Sequence, residues 1–236
     1  MIPLGDSVPR RRFPWITYTL IALNVLVFLI ELSYGRRVTI LFHKYGVVPA
    51  QLWHWQQNPA VLLTLITSQF LHGGWYHIIG NMIYLWIFGD NVEDQMGHGR
   101  YLLFYLISGV IAALVQAAMT PMSTVPLIGA SGAISGVLGA YMLFFPRGKV
   151  FLGIPLFFFL YIVDVPAVIA LGYWFISQYL NGLLSLAANA SGAFQYGGVA
   201  WWAHVGGFVA GLALGPLFRE RRPAYFFPYD YDRMRW

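Results

Sequence analysis

The chain has 236 residues, of which 58% are hydrophobic and only 10% are charged, and it contains no cysteine. A soluble domain carries roughly 25% charged residues, so this composition excludes a soluble protein and predicts a membrane protein with several spans. The net charge of +5 arises from short basic runs between apolar segments, which is typical of a membrane-topology signal rather than of a nucleic-acid-binding face. The lack of cysteine excludes disulfides, a thiol nucleophile and a thiolate metal site.

The first apolar segment runs from Ile16 to Tyr34 and follows the basic cluster Arg10 to Arg12. It is longer than the core of a signal peptide and lacks a small-residue cleavage site, so we predict that it is the first membrane helix. Residues 35–74 form a long connection in which Trp53 and Trp55 accompany other apolar residues. This mixture is typical of helices that lie partly in the membrane interface.

Further apolar segments predict five more spans: Trp75 to Phe88, Tyr101 to Met119, Ser131 to Phe145, Pro166 to Ser185 and Ala200 to Phe218. The segments that begin at Trp75 and Ser131 are shorter than the roughly 20 residues needed to cross hydrocarbon, which leaves room for a polar cavity at their outer ends. The apolar stretch from Val150 to Ile162 contains Pro155, and we predict an interfacial or re-entrant piece there. The expected fold is all-α, a bundle of six transmembrane helices with a long, partly interfacial first external loop.

The distribution of basic residues predicts that both termini are cytoplasmic. With the N-terminus inside, the inner segments carry Arg10 to Arg12, Arg100, Arg147, Lys149, Arg219, Arg221, Arg222, Arg233 and Arg235, and the outer segments carry Arg36, Arg37 and Lys44. This is the positive-inside bias of membrane proteins. We therefore expect one membrane domain over residues 1–236, with a core at about 15–218 and cytoplasmic ends at 1–14 and 219–236.

Four polar side chains lie near the outer ends of the predicted second, fourth and sixth spans: His77 and Asn81, Ser131, and His204. His77 and Asn81 are spaced i, i+4 and so share one helix face. Polar groups at membrane depth are costly and usually face a bundle interior or water. Their common depth predicts a functional site.

The residue types at this site suit nucleophilic catalysis. A serine hydroxyl such as that of Ser131 becomes a nucleophile when a base takes its proton, and the neutral imidazole of His204 is a candidate base. The Ser131 N–H at a helix N-terminus, with the side chains of Asn81 and His77, could stabilise an oxyanion. Small residues after His204, namely Gly206, Gly207 and Gly211, would allow the fourth and sixth spans to approach closely.

Three motifs carry a resemblance to a known family: Gly129-Ala-Ser-Gly132, Ala203-His-Val-Gly-Gly207 and His72-Gly-Gly-Trp-Tyr-His-Ile-Ile-Gly-Asn81. Together they resemble the rhomboid family of intramembrane serine proteases over the whole six-helix core. The resemblance implies that Ser131 is the nucleophile, that His204 is the general base, and that His77 and Asn81 belong to the oxyanion hole. Glu93 and Gly97 fit a Glu-x-x-x-Gly pattern of the family, which implies a structural role.

The sequence departs from the family one turn after the serine. An aromatic residue often stacks on the base from that position, whereas this chain has Ser135, which leaves open what orients His204. By spacing alone Ser135 is an alternative nucleophile, but a serine within a membrane helix usually bonds its own i−4 carbonyl, and we expect that role for it. Asp164 is expected at the inner end of the fifth span, too far away to complete a triad.

The sequence thus predicts an intramembrane serine endopeptidase of the cell membrane that acts on transmembrane proteins within the lipid bilayer. We expect it to use no cofactor or metal and to bind no nucleic acid. We expect a Ser-His dyad, with the loop from about Ala187 to Gly198 and the fifth span as a movable gate. The alternative functions are a catalytically silent rhomboid-like protein that binds membrane clients and a small-molecule transporter or channel. For Asn81, the alternative to an oxyanion donor is a residue that forms hydrogen bonds between helices.

Overall fold

The computed structural model describes residues 2–156, 159–190 and 198–220, and this part of the chain is mainly helical. The α-helices are α1 (Trp15–Ser33), α2 (Val38–Tyr45), α3 (Pro49–Leu52), α4 (Thr64–Thr67), α5 (Trp75–Met96), α6 (His98–Met119), α7 (Ser131–Phe144), α8 (Ala167–Ala190) and α9 (Trp201–Phe218). Short 3₁₀ turns occupy Gly35–Arg37, Pro59–Leu63 and Ser68–Phe70. The strands are β1 (Ile2–Asp6), β2 (Lys149–Leu156) and β3 (Phe159–Pro166).

Within the described ranges, four helices are long and apolar enough to cross a membrane: α1, α6, α8 and α9. Helix α7 has 14 residues, so the prediction of a short fourth apolar helix is confirmed. The predicted second span, which begins at Trp75, was also expected to be short. This expectation is wrong, because the helix there, α5, has 22 residues and ends at Met96 rather than Phe88. Acidic residues interrupt the apolar run there, but Glu93 is buried and hydrogen-bonded inside the protein.

The expectation of an all-α fold is also wrong, because the described chain contains a three-stranded antiparallel sheet with the order β1-β2-β3. Val150 pairs with Val165 and Ile154 with Tyr161. β-Branched and aromatic side chains suit a pleated surface, and strand β2 tolerates Pro155 near its end. The stretch predicted as an interfacial or re-entrant piece therefore forms strand β2 and part of β3, and among the described residues it adds no seventh helix.

The long connection between α1 and α5 contains the short helices α2, α3 and α4 with their 3₁₀ turns. Its placement in the membrane interface stays a prediction. The loop expected at 187–198 begins later than predicted, because α8 continues to Ala190, and residues 191–197 lie outside the described residues. Most of the expected C-terminal tail, residues 221–236, also lies outside them.

Helix α7 occupies the centre of the protein and packs against α9, α6 and α5. Every residue from Gly132 to Tyr141 is buried. The contact with α9 depends on glycine, because a Cβ at Gly207 would collide with the Gly132 carbonyl oxygen and one at Gly211 with the Gly136 carbonyl oxygen. The prediction that small residues bring these two helices together is confirmed for Gly207 and Gly211, whereas Gly206 lies against Val115 of α6. The first two turns of α7 thus pack closely against the second and third turns of α9.

Near the C-terminal end of α5, Glu93 forms hydrogen bonds with the backbone at the start of α1. Its carboxylate, 1% exposed, accepts hydrogen bonds from the backbone N–H groups of Ile16 (2.9 Å) and Thr17 (2.8 Å). The Thr17 hydroxyl donates a further bond at 2.7 Å. Since the first N–H groups of a helix lack intrahelical acceptors, this carboxylate caps α1. Gly97, with φ +77°, then ends α5 in the left-handed region that favours glycine.

Candidate active site

Ser131 is the first residue of α7 and lies two residues after a glycine with an unusual backbone. Gly129 has φ +124°, and a Cβ there would lie 2.6 Å from His77 Nε2 and 3.7 Å from Ser131 Oγ. Only glycine leaves room for the His77 ring at this place. The His77 ring from α5 and the Ser131 hydroxyl at the start of α7 therefore lie on the same side of Gly129.

The proton on His77 can be placed from its hydrogen bonds. The Gly73 backbone N–H donates to His77 Nδ1 at 3.3 Å, so in the neutral ring the proton is on Nε2. Nε2 is the atom that faces Gly129 and the start of α7. The unpaired N–H groups of a first helical turn also point out of the N-terminus of α7. This arrangement can present several N–H donors to one negatively charged oxygen.

Asn81 lies one turn after His77 on α5 and is hydrogen-bonded to the ring of another histidine, His72. Its Nδ2 donates to His72 Nε2 over 3.0 Å, and the His72 and His77 rings are 5.0 Å apart. Burial, with a smaller contribution from His77, lowers the pKa of His72 to about 4, so its imidazole is neutral at pH 7 and can accept this bond. The His72 backbone N–H is held by Glu31 Oε1 at 3.1 Å. One of the two amide N–H bonds of Asn81 is thus used by His72, and the second remains for another acceptor.

His204 lies in the first turn of α9, next to the start of α7. A Cβ at Gly132, which follows Ser131, would lie 3.9 Å from Cβ of Ala203, which precedes His204. Ser131 and Ala203 also line one small crevice together with Gly129 and Gly132. In the described part of the chain no hydrogen bond joins Ser131 Oγ to His204. Bonds between a nucleophile and its base often form fully only in the substrate complex.

The partner of His204 is Gln178, a residue that sequence reasoning missed. Gln178 is 7% exposed on α8, and its Oε1 accepts a hydrogen bond from His204 Nδ1 at 2.8 Å. Trp174, one turn earlier on α8, has its ring 5.8 Å from the His204 ring at 33°. The signal in the sequence is a glutamine four residues after a tryptophan in an apolar segment. This signal does not reveal which helix faces His204.

Two further expectations concern residues near the site. Ser135 Oγ donates to the Ser131 carbonyl oxygen at 2.6 Å, so the predicted i−4 bond is confirmed. Asp164 lies in strand β3, not at the start of a helix, and its Oδ2 is 3.4 Å from Lys149 Nζ. The atom of His204 that a triad carboxylate would bind is instead occupied by Gln178.

Comparison with known proteins agrees with this picture. The family model described as the Rhomboid domain matches residues 49–221. The chain is 31% identical to Rhomboid protein 1, mitochondrial, of Saccharomyces cerevisiae, over 65% of this chain and 41% of that protein. It is 36% identical to Rhomboid protease GluP of Bacillus subtilis, over 55% of this chain and 24% of that protein. It is 34% identical to Rhomboid-like protein 11, chloroplastic, of Arabidopsis thaliana, over 43% and 35%. The aligned part is less than half the length of each of these relatives.

Proposed function

The chain belongs to the rhomboid family, and on that premise we propose that it is an intramembrane serine endopeptidase that cleaves other membrane proteins in or near their transmembrane segments. Apolar helices and family membership make it a membrane protein. A relative named as a rhomboid protease supports hydrolysis of peptide bonds as its chemistry. The residues proposed to carry out that chemistry are Ser131, His204, His77 and Asn81.

In the proposed reaction Ser131 Oγ attacks the carbonyl carbon of the scissile peptide bond. Its proton passes to Nε2 of His204, and the carbonyl oxygen becomes an oxyanion. The Ser131 backbone N–H, the Nε2–H of His77 and the second N–H of Asn81 would donate to that oxyanion. As the C–N bond breaks, His204 gives its proton to the leaving amine, and an acyl-enzyme remains. Water then attacks the ester with His204 as base, which releases the new carboxyl end and restores Ser131.

The observation that carries the proposal is the arrangement around Gly129. A residue with φ +124° lets the His77 ring lie beside the Ser131 hydroxyl at a helix N-terminus. An oxyanion needs several N–H donors, and the Nε2–H of His77 next to the first-turn N–H groups of α7 provides them. A purely structural contact would not require such donors. Removing one such donor typically costs about 10²–10³ in rate.

The proposed membrane arrangement has six spans in one domain, with both termini in the cytoplasm and the site near the outer surface. Helices α5 and α7 would cross the bilayer with α1, α6, α8 and α9, since they pack inside the bundle. A substrate helix pairs its backbone groups internally, so it must unwind locally before Ser131 can reach a peptide bond. Substrates are therefore expected to carry residues of low helix propensity near the cleavage site.

The test is cleavage of single-span reporter proteins in liposomes by wild-type protein and by Ser131→Ala, His204→Ala and Ser135→Ala variants. Ser135→Ala is the matched control, because it removes a hydroxyl from the same helix face and keeps the Cβ that packs on Gly207. The proposal predicts that the first two variants do not cleave and that Ser135→Ala does. If wild-type protein cleaves none of a panel of reporters that differ in helix propensity, the catalytically silent client-binding function replaces the protease.

A further inference from the structure

The environment of His204 contains a feature that the proposed dyad does not use. The family pattern would supply an aromatic ring from α7, at the position of Ser135. In this protein the hydrogen-bond partner of the imidazole and its nearest aromatic ring come from α8, and Trp201 of α9 lies edge-on to it with the ring centroids 6.3 Å apart. Trp174 lies against the ring, and Gln178 bonds its Nδ1. Helix α8 therefore provides the support that α7 lacks.

The direction of each hydrogen bond in this group is fixed by its neighbour. The Ser177 hydroxyl donates its proton to the Trp174 carbonyl oxygen at 2.6 Å, so toward Gln178 it can only accept. Gln178 Nε2 donates to Ser177 Oγ at 3.0 Å. This bond identifies the amide nitrogen and leaves Oε1 as the atom that faces His204.

The consequence for the imidazole follows from the chemistry of an amide oxygen. Oε1 of Gln178 has no proton to give, so the 2.8 Å bond requires a proton on His204 Nδ1. In a neutral ring Nε2 then carries a lone pair, which is the state in which it can take a proton. The opposite tautomer would place two lone pairs against each other at Gln178 and a proton where the base must accept one. Orientation of the base by a third group is a general device of nucleophilic catalysis.

We propose that Gln178 is the positioning residue of His204 and that it holds the imidazole in the Nδ1–H tautomer from helix α8. The inference rests on the proposed function, since it assigns a role within the same site. Ser177 acts behind Gln178 by fixing the orientation of its amide. The base of this enzyme is thus aligned by a neutral amide, and its alignment depends on the contact between α8 and α9.

The first test compares Gln178→Met with Gln178→Glu in the reporter assay. Methionine keeps the length and approximate volume of the side chain but has no acceptor oxygen, whereas glutamate keeps an oxygen at the same place. We expect Gln178→Met to lower kcat at least tenfold with little change in KM, within the roughly 10²–10⁴-fold that general base catalysis supplies. Gln178→Glu is expected to retain more activity than Gln178→Met. Equal kcat in wild type and Gln178→Met would overturn the proposal.

The second test reads the tautomer directly and needs no substrate. In ¹⁵N-histidine-labelled protein, the His204 ring nitrogens are assigned from the signals that disappear in His204→Ala. We expect one protonated Nδ1 in wild type and a mixture of tautomers in Gln178→Met. A protonated Nε2 in wild type would overturn the proposal. The two hypotheses fail separately: cleavage by Ser131→Ala refutes the proposed function, whereas an Nδ1–H signal that is unchanged in Gln178→Met refutes only the role of Gln178.

Discussion

The contact between α7 and α9 gives a sharp prediction for the variant Gly211→Ala. A Cβ at Gly211 would collide with the Gly136 carbonyl oxygen and would lie 2.7 Å from the Gly136 carbonyl carbon. Backbone atoms of a buried helix cannot move aside as a side chain can. The two helices must separate on the order of 1 Å to relieve the overlap, and overpacking of this kind typically costs about 1–3 kcal/mol.

Gly172→Ala is the matched control for this variant. Gly172 is also within a long helix, α8, but a Cβ there meets no atom within 4 Å. Both substitutions gain the same helix propensity, about 1 kcal/mol, so the difference between them measures the steric cost alone. We expect the melting temperature of Gly211→Ala in detergent to lie below that of Gly172→Ala by about 2–4 °C per kcal/mol of that cost.

The same overlap should reduce activity, because Gly136 belongs to the helix that begins with Ser131. A displacement of about 1 Å between nucleophile and base can cost roughly 10²-fold in rate. Reporter cleavage by Gly211→Ala is therefore expected to fall at temperatures where the variant is still folded, while Gly172→Ala cleaves as wild type does. If Gly211→Ala melts together with Gly172→Ala, the close packing of α7 on α9 is refuted.

Three further perturbations test the cap of α1, the protonation of Asp6 and the membrane orientation. Glu93→Gln leaves one acceptor oxygen for the N–H groups that begin α1. We therefore expect the free energy of unfolding to fall by about 1.5–3 kcal/mol, measured by thermal unfolding. An unchanged melting temperature would contradict the role of Glu93 as a cap. Burial raises the pKa of Asp6 to about 6, so the folded state binds more protons than the unfolded state between about pH 4 and pH 6, and stability falls as the pH rises through that window. Asp6→Asn should flatten this part of the melting-temperature profile, and a profile identical to wild type would contradict the shift. The chain has no cysteine, so single cysteines report topology: we expect an impermeant maleimide to label Met122→Cys in intact cells and Lys149→Cys only after permeabilisation, and the reverse pattern would invert the proposed orientation.

The sequence was informative where chemistry depends on residue type and short spacing. Polar residues in apolar helices are rare, which singled out Ser131, His204, His77 and Asn81, and the glycines of α9 indicated the close approach that the structure contains. The roles of these four residues stay predictions until activity is measured. The i−4 bond of Ser135 followed from local geometry alone and is confirmed.

The sequence was less informative where the outcome depends on which elements meet. A short apolar run can be a strand or a buried helix, so hydropathy alone did not distinguish the hairpin of β2 and β3 from an interfacial segment. The sequence did not reveal the partner of His204, because local spacing points to α7, one turn after Ser131, whereas the partner lies on α8. Gln178 is separated from His204 by 26 residues, and only the packing of α8 on α9 brings its amide to the ring.

The most direct measurement of the central claim is the position of a covalent adduct after treatment with a serine-directed fluorophosphonate, located by peptide mass spectrometry. We expect a single adduct on Ser131 in wild-type protein and in Ser135→Ala, and none in His204→Ala, because the reagent requires an activated hydroxyl. An adduct on Ser135, or one on Ser131 that forms equally well in His204→Ala, would contradict a nucleophile activated by this base.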